Sequence, residues 1–385
     1  MTLPRPDLAA FFQLRRDITF LNHGSYGACP EPVFAVYQEW QRQIERQPVD
    51  FFSRQIKPAL AFARTILGGY LGSPADDIVF VPNITYAMNA VAHALKLEPG
   101  DEVLTTDHEY GAVDRSWTYY CEKAGAHYVR QTIPLPLADD AAIVAALWRG
   151  VTPRTKVISV SHITSPTALI LPVAAICARA RAEGILTVVD GAHAPGQIDL
   201  DLTEVGADFY GGNCHKWLCA PKGAGFLYAR PEAQPLLDPL IITWGWRGVS
   251  PGPSQFLNYF EWGGTDDPSA FLSVPAAIEF QREHDWPAVR AACHALAAAT
   301  RAQIAALTGE PQICDERHFG QMCYIPLPAH VTPEALSRLW REYQIEIPAI
   351  TWGGRPALRL SIQAYNTPGD CERLLEVVQQ LVRPA

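Results

Sequence analysis

Three short apolar runs between residues 185 and 229 restrict the fold of this chain more than any other part of it. Ile185-Leu186-Thr187-Val188-Val189 is apolar at nearly every position and ends on Asp190. Ala207-Asp208-Phe209-Tyr210 and Gly223-Ala224-Gly225-Phe226-Leu227-Tyr228-Ala229 follow. A strand with apolar residues on both faces must be covered on both faces, which points to a mostly parallel sheet between layers of helix. Small-residue turns follow the first two runs: Gly191-Ala192-His193-Ala194-Pro195-Gly196, then Gly211-Gly212-Asn213-Cys214-His215-Lys216-Trp217. Asp190 and Lys216 are 26 positions apart, and each is expected just past the carboxyl end of a strand. In open α/β sheets that edge is where ligands bind.

The flanking sequence has the same alternation. Strands are expected at 77–81, 102–106, 127–133 and 156–160, with helices at 31–47, 57–71, 86–95, 113–124, 141–148 and 173–183. Beyond the lysine the pattern predicts helices at 269–284, 286–307 and 333–343 and strands at 320–326 and 357–362. Residues 1–19 read as a short helical arm. The expected organisation is a large domain over 20–268 and a smaller one built from 1–19 plus 269–385.

Composition narrows the class. The chain has 385 residues, 48% hydrophobic and 18% charged, with a net charge of −9, so neither nucleic acid nor an anionic membrane is expected as its main partner. No apolar run approaches the roughly 20 residues that span a bilayer. Met1-Thr2-Leu3-Pro4-Arg5-Pro6-Asp7 has no apolar core of a signal peptide. Nine cysteines without paired spacing fit reduced thiols in a cytoplasmic protein. Cys214 and Cys219 flank the lysine, but no second pair completes a zinc site, and no metal is expected.

A carboxylate and a lysine on one sheet edge have a specific use. Pyridoxal phosphate needs a lysine amine for its Schiff base and an acid beside its pyridine nitrogen. The bland alternative, a surface lysine and a strand-end cap, holds for most isolated pairs. Here the glycine-rich turns and the adjacent His215 weigh against it. After the strand at 77–81, Pro82-Asn83-Ile84-Thr85-Tyr86 opens a helix whose free N–H groups would face an anion; a plain cap by Asn83 or Thr85 is the alternative.

DGAHAPGQIDLDLTEVGADFYGGNCHKWLCAPKGAGFLY resembles the pyridoxal-phosphate segment of the class V aminotransferase family, and most closely its isopenicillin N epimerase-like branch, which includes carbon–sulfur lyases. The likeness runs from about Phe20 to the closing RLSIQAYNTPGD. It implies a fold-type-I α/β enzyme working as a homodimer with shared active sites on a small amino-acid substrate. By that resemblance Lys216 carries the cofactor and then acts as general base. Asp190 pairs with the pyridine nitrogen, His193 bonds the phenolic oxygen and Tyr110 stacks on the ring. Ile84, Thr85, Asn213 and His215 face the phosphate, and Thr265, in Glu261-Trp262-Gly263-Gly264-Thr265, reaches the partner's phosphate. Near Ser165 relatives carry an asparagine that contacts the cofactor's phenolic oxygen or the substrate; this chain departs there, and Ser165 and Thr167 are its loose counterparts. Arg359 holds the substrate carboxylate, with Asn22, His23 and Ser25 beside it. Side-chain specificity is expected from loops 22–29 and 244–256.

Other classes fit less well. A Rossmann-type nucleotide enzyme needs a GxGxxG turn, which is missing, and a non-catalytic relative would not need both Lys216 and Asp190. A cysteine desulfurase would carry a nucleophilic cysteine before the arginine strand. Residues 346–355 contain none, which leaves only Cys29 on the N-terminal loop. Among reactions that follow loss of the α-proton, β-elimination of a sulfur leaving group needs fewer catalytic groups than epimerisation. Elimination therefore ranks first at this point, epimerisation second and transamination third.

Overall fold

The computed structural model describes residues 6–248 and 252–383. Residues 1–5 of the segment read for a leader, and 249–251 of the loop 244–256, lie outside the described residues. In chain order the strands are β1 Thr19–Phe20, β2 Ile78–Val81, β3 Glu102–Thr106, β4 His127–Gln131, β5 Thr155–Ser161 and β6 Leu186–Gly191. They continue with β7 Phe209–Asn213, β8 Gly225–Ala229, β9 Met322–Pro326, β10 Ile345–Glu346, β11 Ala349–Trp352 and β12 Arg355–Ser361.

Seven of them form one sheet in the order β2-β8-β7-β6-β5-β3-β4. All neighbours pair parallel except those of β8, which is antiparallel to both β2 and β7. Because β8 is the one reversed strand, β2 points the same way as β7, and the helix that follows β2 starts at the same edge as the lysine loop. Successive residues alternate between two buried faces. Val79, Val103, Val157, Val188, Phe209 and Leu227 enter one apolar core, while Phe80, Leu104, Ile158, Val189, Tyr210 and Phe226 enter the other. This two-sided burial is why the strands read as continuous apolar runs.

A second, antiparallel sheet has the order β11-β12-β9. β11 was not expected from the sequence; it is the first arm of a hairpin turning at Gly353 and Gly354, both at positive φ. The expected helix at 269–284 is two helices, Ser269–Leu272 and Val274–Glu283. Pro275 has no N–H to continue the ladder, and the Ser273 hydroxyl bonds the Ser269 carbonyl at 2.6 Å. A final helix, Pro368–Leu381, was also not expected. Thr367 opens it with a capping box completed by Asp370, a pattern whose acid is Asp rather than the usual Glu or Gln.

The N-terminal segment is stitched to the C-terminal one. β1 pairs in parallel with β10, and Asn366 Nδ2 donates to the Phe20 carbonyl at 2.9 Å. Among the described residues no helix is long and apolar enough to cross a membrane.

Candidate active site

Asp190 is the penultimate residue of β6, inside the strand rather than beyond it, and stands in register with Gly211 of β7. A Cβ on Gly211 would lie 2.5 Å from Ile84 Cδ1, so only glycine lets the helix after β2 approach the sheet beside the carboxylate. Lys216 lies on the loop between β7 and β8. Both open into a cavity of about 520 Å³ lined also by Ser25, Thr85, Tyr110, Ser165, His193, Asn213, His215 and Lys222.

The groups are coupled. Lys216 Nζ is 3.2 Å from His193 Nε2. Burial, then the nearby Arg359 charge, pull the lysine down to about 7, against the opposing pull of Asp190. An amine held there is largely unprotonated slightly above neutrality, as a nucleophile or base requires. His193 is shifted well below its ordinary range by burial and by Lys216, so its imidazole is neutral. Asp190 accepts the Ala192 N–H at 2.9 Å; burial raises its pKa, while that bond and Lys216 oppose the rise.

Arg359 is 8% exposed. Its Nη1 donates to the Ser165 carbonyl at 2.7 Å and to Ser165 Oγ at 3.3 Å, and its Nη2 to Ser25 Oγ at 3.0 Å. Nε has no partner, and among the described residues no carboxylate pairs with the guanidinium. A buried guanidinium held only by neutral oxygens is a receptor awaiting an anion. Burial depresses it to about 10, still fully charged.

Several expected roles are corrected by the geometry. His23 does not line the cavity: its Nδ1 is 3.0 Å from the Tyr365 hydroxyl and its Nε2 3.0 Å from the Lys216 carbonyl, so it braces the lysine loop from behind. Asn22 also stands back, accepting the Ser25 hydroxyl at 2.6 Å and donating to Glu346 at 3.1 Å. Thr167 is bonded to His108 and Thr164, each at 2.8 Å, away from the cavity.

Ile84 lines the cavity, but its N–H is taken by Asn213 Oδ1 at 2.9 Å, and the Tyr86 N–H by Asn83 at 3.1 Å. Thr85 is therefore the first-turn residue left with a free N–H and hydroxyl for an anion. His215 Nδ1 donates to the Ala224 carbonyl at 3.1 Å. Its neutral ring thus offers the cavity an acceptor, and contact with a phosphate requires a second proton, which a dianion alongside favours. Thr265 lies on a different groove, of about 860 Å³, with Phe52, Trp244, Leu257 and Trp262.

Two groups escaped the sequence reading. Lys222 lines the cavity and donates to the Gly27 carbonyl at 3.1 Å; its place on the lysine's own loop was the available signal. Glu109, beside Tyr110, receives the hydroxyls of Thr106 and Ser161, each at 2.6 Å. Burial pushes it up to about 8, with Asp190 adding to the rise against those two bonds, so it is neutral at pH 7. The local balance is then two standing cations, Lys222 and Arg359, with Lys216 near the midpoint of its titration, against the single carboxylate of Asp190, although the whole chain is acidic.

The model of the class V aminotransferases matches residues 30–374. The chain belongs to the class V aminotransferase family. Isopenicillin N epimerase of Amycolatopsis lactamdurans is 36% identical over 379 residues, covering 94% of this chain and 95% of that protein. A probable chloroplastic L-cysteine desulfhydrase of Arabidopsis thaliana is 28% identical, covering 95% and 83% respectively. Among solved structures, a mutant of C-DES with glycine covalently linked to its PLP cofactor superposes with a TM-score of 0.83 at 20% identity, covering 98% of each chain. The architecture is thus fold-type I, and the family is one of enzymes that depend on pyridoxal phosphate.

Proposed function

We propose that this class V aminotransferase-family member binds pyridoxal phosphate at Lys216 and removes the α-proton of an amino acid, leading to epimerisation at that carbon. The observation that carries the reading is the unpaired, buried Arg359 beside an amine held near neutrality. The residues present suit the cofactor. Lys216 would hold it covalently, Asp190 would face its ring nitrogen, His193 would donate to its phenolic oxygen and Thr85 to its phosphate. When bound it supplies a sink for the electron pair left at the substrate's α-carbon.

The protein's own groups do the rest. Arg359 fixes the substrate carboxylate in two parallel bonds, and Ser25 and Ser165 keep the fork planar to it. Lys216, as the unprotonated amine, takes the α-proton. Epimerisation then needs a proton from the opposite side, and Tyr110, 42% exposed on the cavity wall, or a water is its source. The 36% identity to an isopenicillin N epimerase supports epimerisation ahead of elimination, reversing the order that counting catalytic groups favours. Elimination from a substrate with a β-sulfur leaving group is the second reading, supported by the desulfhydrase relative and by its need for no second donor. Persulfide chemistry has little support. Eight of the nine cysteines are buried, and burial pushes the thiol of the ninth, Cys29, up to about 12.

The proposal extends to a homodimer. The groove bearing Thr265 is apolar, and Trp244 on its rim is 90% exposed; so large an exposed apolar surface favours burial against a second copy. Turnover in deuterated water tests the reaction. Deuterium at Cα of an inverted amino acid is the expected result, ammonia with a keto acid would establish the lyase, and conversion to the pyridoxamine form reversed by a keto acid would overturn both.

A further inference from the structure

His193 is 1% exposed, and its ring is held at both nitrogens. On one side Trp217 Nε1 lies 3.2 Å from His193 Nδ1; on the other, His193 Nε2 lies 3.2 Å from Lys216 Nζ. An indole N–H can only donate. A hydrogen on Nδ1 would therefore meet another hydrogen, and the proton of a neutral ring is driven to Nε2. Trp217 is fully buried, its carbonyl receives Gln281 Nε2 at 2.9 Å, and its ring packs 5.0 Å from that of His23. The His193 carbonyl is held in turn by Gln197 at 2.8 Å. Neither ring has room to turn the contact away.

We propose that Trp217 is a positioning residue that sets the tautomer of His193, so that Nε2–H always faces the cavity as a donor. Two consequences follow from the donor count. Nε2–H meets Lys216 favourably only when the lysine has a lone pair, so the indole favours the free amine over the ammonium through the imidazole. Once the amine is engaged elsewhere, the same N–H is left pointing at whatever oxygen replaces it. The tautomer of a histidine is fixed by the bond its other nitrogen makes, and here that bond comes from the residue next to the lysine itself. The inference draws its catalytic meaning from the pyridoxal reading, but the tautomer exists without the cofactor, so the two can fail separately.

Full-length protein carrying ¹⁵N-histidine, before and after reconstitution with pyridoxal phosphate, tests this by nitrogen NMR, with His193→Gln assigning the resonances. The expected result is a protonated Nε2 and a bare Nδ1 in both states. Trp217→Phe keeps a ring but loses the donor, and should move the tautomer ratio toward Nδ1–H on the order of tenfold, the worth of one buried hydrogen bond. A protonated Nδ1 in the native protein, or an unchanged ratio in the folded variant, would overturn the proposal. If the variant does not fold, a coupling across the bond from Trp217 Nε1 to His193 Nδ1 in the native protein decides: its presence supports the proposal and its absence overturns it.

Discussion

Glu109→Gln isolates the cost of hiding an acid behind Asp190. The amide is nearly isosteric and can both donate to one of the two hydroxyls and accept from the other, so the local bonds survive. The wild-type carboxyl starts from an ordinary value of 4.5 and is pushed up to about 8 by burial, with Asp190 adding to it. A raised acid binds its proton more tightly folded than unfolded. Its stabilising contribution is whole below about pH 4.5, falls as the pH rises, and is lost once the pH passes 8. Across that window the loss is on the order of 5 kcal/mol. The unfolding entropy of a chain this long is roughly 0.8 kcal/mol/K, so the loss corresponds to about 6 °C in midpoint. The amide that replaces the acid does not titrate. Thermal unfolding of the cofactor-free proteins should therefore show the variant gaining about 6 °C on the wild type between about pH 4.5 and pH 8.5. Parallel midpoint curves across that range would refute a neutral, buried Glu109 and leave two facing carboxylates to be explained.

Four further outcomes follow. The rate at which cofactor-free protein takes up pyridoxal phosphate should rise through pH 7 and level off above it, since Lys216 loses its proton at about 7; a rate still climbing at pH 10 by stopped-flow absorbance would contradict this. Asp190→Ala should still be labelled at residue 216 by borohydride yet lose about a hundredfold or more in kcat, and normal turnover would remove Asp190 from its role. Arg359→Met should raise KM for the amino acid about 10- to 100-fold, while Arg359→Lys recovers only part, because an ammonium cannot reproduce the fork. Mixed Lys216→Ala and Thr265→Ala subunits should regain activity through heterodimers with one intact site, and a monomer at assay concentration by sedimentation would end that expectation.

The sheet and its ligand edge were legible because they rest on local pattern. Doubly buried strands are continuous apolar runs, and the turns that follow them carry glycines where backbone and helix come close, as at Gly211. The positions of Lys216, Asp190, His193, Thr85, Tyr110 and Ser165 on one cavity follow from that edge. What local pattern could not reveal was which hydrogen bonds are already spent. Ile84 looked like an anion-binding N–H until Asn213, 129 positions away, proved to occupy it. His23 and Asn22 have the chemistry of substrate contacts, but their partners, Tyr365 and Glu346, come from the far end of the chain. β11 stayed hidden because Ala349–Trp352 alternates between exposed and half-buried and has no apolar run. Glu109 was passed over because a carboxylate beside an aromatic residue reads as solvated, and only its enclosure shows otherwise.

The stitching of β1 to β10 also divides the site in time. All the groups expected to hold the cofactor within one subunit, from Thr85 to Lys216, lie before the end of β8 at Ala229. Glu346, which anchors Asn22, and Arg359 follow about 120 to 130 residues later. At roughly 5–20 residues per second of synthesis, that gap lasts on the order of ten seconds. The loop bearing Ser25 is therefore made long before it can be seated, because its partners Glu346 and Arg359 are more than 300 residues further along the chain. A growing chain would complete the groups proposed to hold the cofactor well before the one proposed to hold a substrate.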